Sequence, residues 1–375
     1  MSPHRAVIPH SRPTIEQADI EAVTDVLRSG RLVQGEQVAR FEAAVAAALG
    51  RRGGVATSSG TSALHLALLA LGVGRGDEVI MPSYTCVAVL QAAHYVGATP
   101  RLAEIDPDTY SLEPEDVRRR LSRRTRAIIA PHMFGLPADV TALRTFGVPV
   151  IEDCAQAFGA SVDGRPAGSM GTVAVCSFYA TKVLATGEGG MVVADSEVLL
   201  NRIRDLRDYD GRYALAVHYN YKMTDFAAAL GLSQLRRLPA FLARRRALAA
   251  RYDACLEGLP LRLPIAPPGR GHIFLRYVIG VDHPSRLARR LGSRGIESKL
   301  PVFRPLHHYL RRRGFPTTDA AMQSALSLPI YPSLPDGDVD VIAGAVRAEL
   351  ALLDGDARQS LPHGSGRGVE AVVGA

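Results

Sequence analysis

The sequence predicts an α/β protein: a mostly parallel, seven-stranded sheet covered by helices on both faces, followed by a smaller α+β domain. Three observations carry this. Short apolar runs alternate with helix-period patterns up to about residue 195. An Ala/Leu-rich helical stretch then runs from about 224 to 256, and beyond it the pattern becomes mixed. Finally, 375 residues exceed one small core and suit one large and one smaller unit.

The elements follow in order. In "TIEQ", Thr14 and Gln17 have capping-box spacing, and Ile20, Val23 and Leu27 repeat at helical period until Ser29-Gly30. A second helix places Val38, Phe41, Val45 and Leu49 on one stripe. The strand candidates are "GGVAT", "DEVIM", "TPRLAEI", "RAIIAP", "VPVIED", "VAVCSF" and "GGMVVA". Helices are expected between them over 62–71, 85–95, 114–121 and 139–146. Pro239 divides the 224–256 stretch into two helices or kinks it. A strand in "HIFLRYVIGV", a helix near 285–294, a short extended piece in "SLPIYPSLP" and a closing helix complete the small domain. The division expected is residues 1–240 as the large domain, 241–355 as the small one, and 356–375 as a polar, Gly/Ser-rich loose tail.

Composition narrows the function classes. Hydrophobic residues make up 47% and charged residues 22%, as in ordinary globular proteins. No run approaches the roughly 18 apolar residues of a membrane span, and the N-terminus has no apolar signal core, so a cytoplasmic enzyme is expected. Cys86, Cys154, Cys176 and Cys255 show no CxxC or zinc spacing, which predicts free thiols and no metal site. The net charge of +7 comes from scattered groups (Arg118 to Arg120, Arg123–Arg124, Arg244 to Arg246, Arg311 to Arg313) without interleaved aromatics. These read as solvated helix faces, so no nucleic-acid partner is expected.

Three loops at strand ends carry chemistry, and ligands of parallel sheets sit at the carboxyl ends of strands. In "TSSGTSALHLALLALG" a strand ends, Gly60 permits a tight turn, and a helix starts near Thr61 or Ser62. Free N–H groups and hydroxyls there would bind phosphate, although a plain Ser/Thr cap has the same appearance. "VIEDCAQAFGA" ends a strand in Glu152-Asp153, and either carboxylate could face a cationic ring nitrogen or a metal, or merely cap a loop. "SFYATKVLATGEGG" puts Ser177 and Lys182 after a buried strand. A desolvated lysine there becomes a nucleophile, and a solvated one merely snorkels. A phosphate site, a carboxylate and a nucleophilic lysine together are the parts a pyridoxal phosphate enzyme needs.

With "YNYKMTDFAAALGLSQL" added, these motifs make the chain resemble the DegT/DnrJ/StrS family of sugar-nucleotide and aminocyclitol aminotransferases, over nearly its whole length. The resemblance implies the aspartate-aminotransferase type fold (PLP fold type I), pyridoxal 5'-phosphate as cofactor, and a homodimer with sites at the subunit interface. It implies that Lys182 forms the Schiff base and that Asp153 pairs with the pyridine nitrogen. Gln156 would lie over the ring, and Gly60, Thr61 and Ser177 would hold the phosphate. Asn220 would reach the phosphate of the other subunit. Cys86 stands where many members stack an aromatic ring, which weakens that stacking or leaves it to Tyr84 or another group. "GIESKLPVFRPLHHY" keeps Pro305, Leu306 and His307 but has Val302-Phe303 in place of the usual Tyr-Pro. Family dehydratases carry His in place of the lysine, so Lys182 favours transamination. The activity implied is transfer of an amino group from an amino acid, glutamate, to a keto-sugar nucleotide. The alternatives are a keto-cyclitol or other small ketone as acceptor, and a PLP-fold lyase or regulatory protein.

Overall fold

A computed structural model of the chain describes residues 7–211, 213 and 215–359. Helices α1 (Gln17–Ser29) and α2 (Glu36–Ala48) precede β1 (Gly53–Thr57) and α3 (Gly60–Ala70). Then come β2 (Glu78–Pro82), α4 (Val87–Tyr95), β3 (Thr99–Ala103), α5 (Pro114–Arg120), β4 (Thr125–Pro131), α6 (Val140–Arg144) and β5 (Val150–Asp153). Two short strands, β6 (Ser161–Val162) and β7 (Arg165–Pro166), form a hairpin ahead of β8 (Val173–Ser177), β9 (Gly190–Ala194) and α7 (Glu197–Arg207). The main sheet has seven strands in the order β1-β9-β8-β5-β4-β2-β3, the seven expected from sequence. Only β9 runs against the rest: it pairs antiparallel with β1 and β8, and the remaining pairs are parallel. Val, Ile, Ala and Met fill these strands almost continuously because helices cover both faces. Thr57, Asp153 and Ser177 therefore end their strands along one sheet edge, and Gly190 is in register with both Thr57 and Ser177.

Helices α8 (Asp225–Arg236) and α9 (Leu238–Leu256) meet at Arg237, with Pro239 in the first turn of α9. Proline is tolerated there because that N–H has no intrahelical partner. A second core gathers Leu248, Tyr252, Tyr277, Leu287, Leu326 and Val346. Around it lie β10 (Arg270–Gly271), the antiparallel pair β11 (Tyr277–Gly280) and β12 (Ala325–Leu328), and α10 (Pro284–Ser293), α11 (Leu306–Tyr309), α12 (Pro316–Ser324) and α13 (Asp336–Gln359). The N-terminal segment joins this core: Ile8 is buried in it and bridges to Ile296. Helix α13 runs to Gln359, into the segment expected to be a loose tail; the rest of that segment lies outside the described residues.

Two local expectations need correction. The capping box of α1 is Glu16 with Asp19, not Thr14 with Gln17. Asp19 is buried and also accepts from Gln234 and Arg237, and that tertiary demand moves the helix start two residues on. Arg245 is no solvated charge: it is buried, and it donates to the carbonyls of Phe274, Leu275 and Ile330. Among the described residues no helix is long and apolar enough to cross a membrane, and all four cysteines are free.

Candidate active site

Strand β1 ends at Thr57, and the Ser59 hydroxyl caps α3 by accepting from the Ser62 N–H at 3.1 Å. The first intrahelical bond runs from Ala63 to Ser59, so the N–H groups of Gly60 and Thr61 remain for an anion at the positive end of the helix. Glycine is required here twice. A Cβ on Gly60 would come within 2.8 Å of the Ser177 Cβ, and one on Gly190 would overlap the Ser59 carbonyl. The absence of both side chains lets the helix end close on the mouths of β8 and β9.

The two carboxylates ending β5 part company because successive strand residues face opposite ways. Glu152 is fully buried and spent on the backbone: it accepts from Gly168 at 2.8 Å, from Met170 at 2.7 Å and from Gly171. His132 accepts the Ala138 N–H on Nδ1 at 2.9 Å, so its Nε2 carries the proton shared with Glu152 at 3.2 Å. Burial opposes ionisation of Glu152, but the His132 bond and these N–H donors outweigh it and hold its pKa below the usual range. Asp153 faces the other way. One oxygen accepts the Ala155 N–H at 3.0 Å, and the other has no hydrogen bond among the described residues. Burial raises its pKa against the pull of that N–H and of Lys182. A cation at the open oxygen would reverse the balance.

Lys182 is half-buried at the end of a turn closed by its own N–H to the Tyr179 carbonyl at 2.8 Å. Thr186 braces the loop through the Glu188 carbonyl at 2.7 Å. Desolvation lowers the Lys182 pKa, opposed by Asp153 and Cys86 and assisted by Arg276. More free amine is then available near neutral pH. A cavity of about 220 Å³ brings Lys182 together with Gly60, Thr61, Cys86, Asp153, Gln156 and Ser177. Gln156 is fixed by accepting the Phe134 N–H at 3.2 Å. At one end this cavity offers N–H donors for an anion; elsewhere it holds an open carboxylate and a desolvated amine. That set fits a flat phosphorylated aldehyde with a basic ring nitrogen.

A family model described as the DegT/DnrJ/EryC1/StrS aminotransferase family matches residues 13–347. The chain belongs to this family. It is 33% identical over 362 residues to the GDP-perosamine synthase of Vibrio cholerae, covering 91% of this chain and 98% of that one. Among solved structures it is similar to DesI in the presence of its TDP-sugar product (32% identity, TM-score 0.88, 94% and 96% of the two chains). It is also similar to the Streptococcus pneumoniae aminotransferase Spr1654 in its PLP form (26% identity, TM-score 0.87, 92% and 99%). This aminotransferase therefore has the PLP-type fold, and pyridoxal 5'-phosphate is its cofactor.

Of the residues expected at the site, seven line the cavity and Asn220 does not. It is exposed, between Tyr219 and Tyr221, on a segment hydrogen-bonded to Ser58 through the Tyr221 carbonyl at 2.7 Å. Tyr84 cannot stand in for a stacking ring. It is 1% exposed and packs against Tyr110 and Phe134 in a separate core. Val302 joins that core, and Phe303 points into solvent at 86% exposure. His307 is buried, bonded to Ser83 at 2.7 Å and Asp319 at 3.1 Å. Sequence reasoning passed over Arg276, whose charge acts on Lys182; the only signal was an arginine interrupting the apolar run "HIFLRYVIGV".

Proposed function

We propose that this aminotransferase moves an amino group from L-glutamate to a keto-sugar nucleotide, acting as a homodimer. The observation that carries the acceptor is its 33% identity, over nearly its full length, to a GDP-perosamine synthase; its likeness to DesI in the presence of a TDP-sugar product supports it. A keto-cyclitol acceptor has no such support. The lysine, carboxylate and anion cradle in one cavity leave the lyase and regulatory readings without an observation in their favour.

In this reading the N-terminus of α3, with Thr61 and Ser177, holds the phosphate, and the ionised Asp153 would accept a hydrogen bond from the protonated ring nitrogen at its open oxygen. Bound there, pyridoxal phosphate supplies a carbonyl carbon that carries the amino group and a ring that takes up negative charge. Lys182 would take the proton from the donor's α-carbon and deliver it to the cofactor's carbonyl carbon in the same half-reaction, then run that transfer in reverse for the acceptor, a task suited to an amine of lowered pKa. Asp153 keeps a positive charge on the ring nitrogen and so favours loss of that proton. Gln156 forms part of the cavity wall, anchored to the Phe134 peptide. Asn220 completes the phosphate site of the second subunit.

Lys182→Ala should lower turnover by at least about 10²–10⁴-fold, the contribution of proton transfer alone. The check is the visible spectrum of the purified protein before and after borohydride, and again after glutamate. Wild type should show a cofactor band that borohydride fixes onto Lys182 and glutamate bleaches. A Lys182→Ala protein with wild-type turnover would sink the assignment.

A further inference from the structure

Outside the cofactor cavity, two adjacent histidines and one carboxylate converge. His307 and His308 lie in the four-residue helix α11, and Asp319 lies in the first turn of α12. Successive helical residues point about 100° apart. Both imidazoles nevertheless turn to the same side, with ring centroids 4.2 Å apart. His307 Nε2 lies 3.1 Å from Asp319 Oδ1, and His308 Nε2 lies 3.3 Å from that same oxygen. One ligand atom from each of the three residues lies within 4.8 Å of the others.

Hydrogen bonding accounts for only part of this arrangement. His307 shares a hydrogen bond with Asp319, whereas His308, at a similar distance, is not aligned for one. Among the described residues no lysine or arginine pairs with Asp319, and its ion-pair contacts are these two rings. Burial, and then His308, lower the His307 pKa against the pull of Asp319, so that imidazole is neutral at physiological pH.

The spacing is that of a metal site. Tetrahedral zinc holds histidine nitrogen and carboxylate oxygen at about 2.0–2.2 Å, which puts neighbouring ligand atoms about 3.3 Å apart. The contacts of 3.1 and 3.3 Å match that separation. A ligating histidine also needs its other nitrogen held. His307 Nδ1 is 2.7 Å from the buried Ser83 hydroxyl, which can accept as well as donate, and its ring stacks on Phe315. His308 and Asp319 line an open groove, so water can reach a fourth position.

We propose that His307, His308 and Asp319 bind a divalent cation of the zinc type, with water as the fourth ligand. Cysteine spacing does not bear on this site, because no cysteine takes part. None of the three ligands lines the cofactor cavity, so the cation is structural and has no share in the amino transfer. It clamps α11 to α12. Through His307, and through the Leu306 N–H on the Ser83 carbonyl at 2.7 Å, it also steadies the segment that leads to Thr85 and Cys86 of the cavity wall. The site stands apart from the donor and acceptor readings above.

The test uses the full chain loaded with pyridoxal phosphate and titrated with zinc chloride by calorimetry. Wild type should bind one zinc per chain, and His308→Gln and Asp319→Asn should each weaken binding by at least about tenfold. Excess zinc should raise the thermal midpoint of wild type by a few degrees and that of the two variants by much less. Without zinc, both variants should keep a wild-type cofactor band and wild-type turnover, which shows that they are folded. Crystals of wild type soaked in zinc give a second reading that needs no variant: an anomalous peak should lie between the three side chains. No zinc binding at millimolar concentration overturns the proposal. So does binding that survives both changes, as zinc held by the cofactor or a thiol would, and so does a peak that lies elsewhere.

Discussion

Gly190 occupies the point where the ends of β1 and β8 meet the first turn of α3. Alanine there would push against the Ser59 carbonyl and the Gly60 N–H, the groups that shape the anion site. Gly190→Ala should therefore weaken cofactor binding by about tenfold or more, with a loss of stability typical of overpacking, about 1–3 kcal/mol. Equilibrium dialysis with pyridoxal phosphate and a thermal melt check both parts. Glu152 makes a prediction of another kind. Its folded pKa lies below the ordinary 4.5, so its stabilisation is fully present above that pH and disappears as pH falls through the folded value. Glu152→Gln should cost about 3 kcal/mol at neutral pH, by loosening the 168–171 turn. The gap to wild type should narrow below about pH 4.5 in denaturant titrations. The pair "ED" was visible in the sequence as a candidate, and strand alternation dictated that its members face opposite ways. Which one faced the ligand depended on N–H donors from a turn some 16–19 residues away in the chain, and no local pattern announces those.

At the scale of elements, strand identity was legible because buried parallel strands read as continuous apolar runs, and all seven candidates became sheet strands. Helix ends were less so. The spacing that suggested Thr14 and Gln17 recurs two residues later in Glu16 and Asp19, and tertiary partners choose between them. Asp19 joins the start of α1 to α8 through Gln234 at 2.9 Å and, just past the end of α8, Arg237. Burial opposes its ionisation, but the Glu16 N–H, Ser233 and Arg237 together keep its pKa below the ordinary value. Asp19→Ala removes a cap and leaves a half-buried Arg237 with only Glu16. A loss of about 2–4 kcal/mol is expected, the sum of a cap and a desolvated pair. A thermal melt that matches wild type would contradict this.

At the scale of the molecule, the candidate cavity is assembled from the edge of one sheet, and Asn220, the one residue expected at the site that does not line it, is exposed on the segment bonded to Ser58 ahead of α3. The proposed homodimer explains this geometry if each Asn220 serves the other subunit's phosphate site. That arrangement has a consequence that a chain acting alone cannot imitate. Lys182→Ala and Asn220→Leu proteins should each be poorly active as pure samples. In a mixed dimer one site carries both changes and the other carries neither. Unfolding and refolding the two together in equal amounts should restore about a quarter of wild-type turnover, because about half the dimers are mixed and each has one intact site. If Asn220 acts within its own chain, every site in the mixture has one defect and no activity returns. Sedimentation of the mixture, compared with its turnover, separates failure to assemble from absence of a shared site.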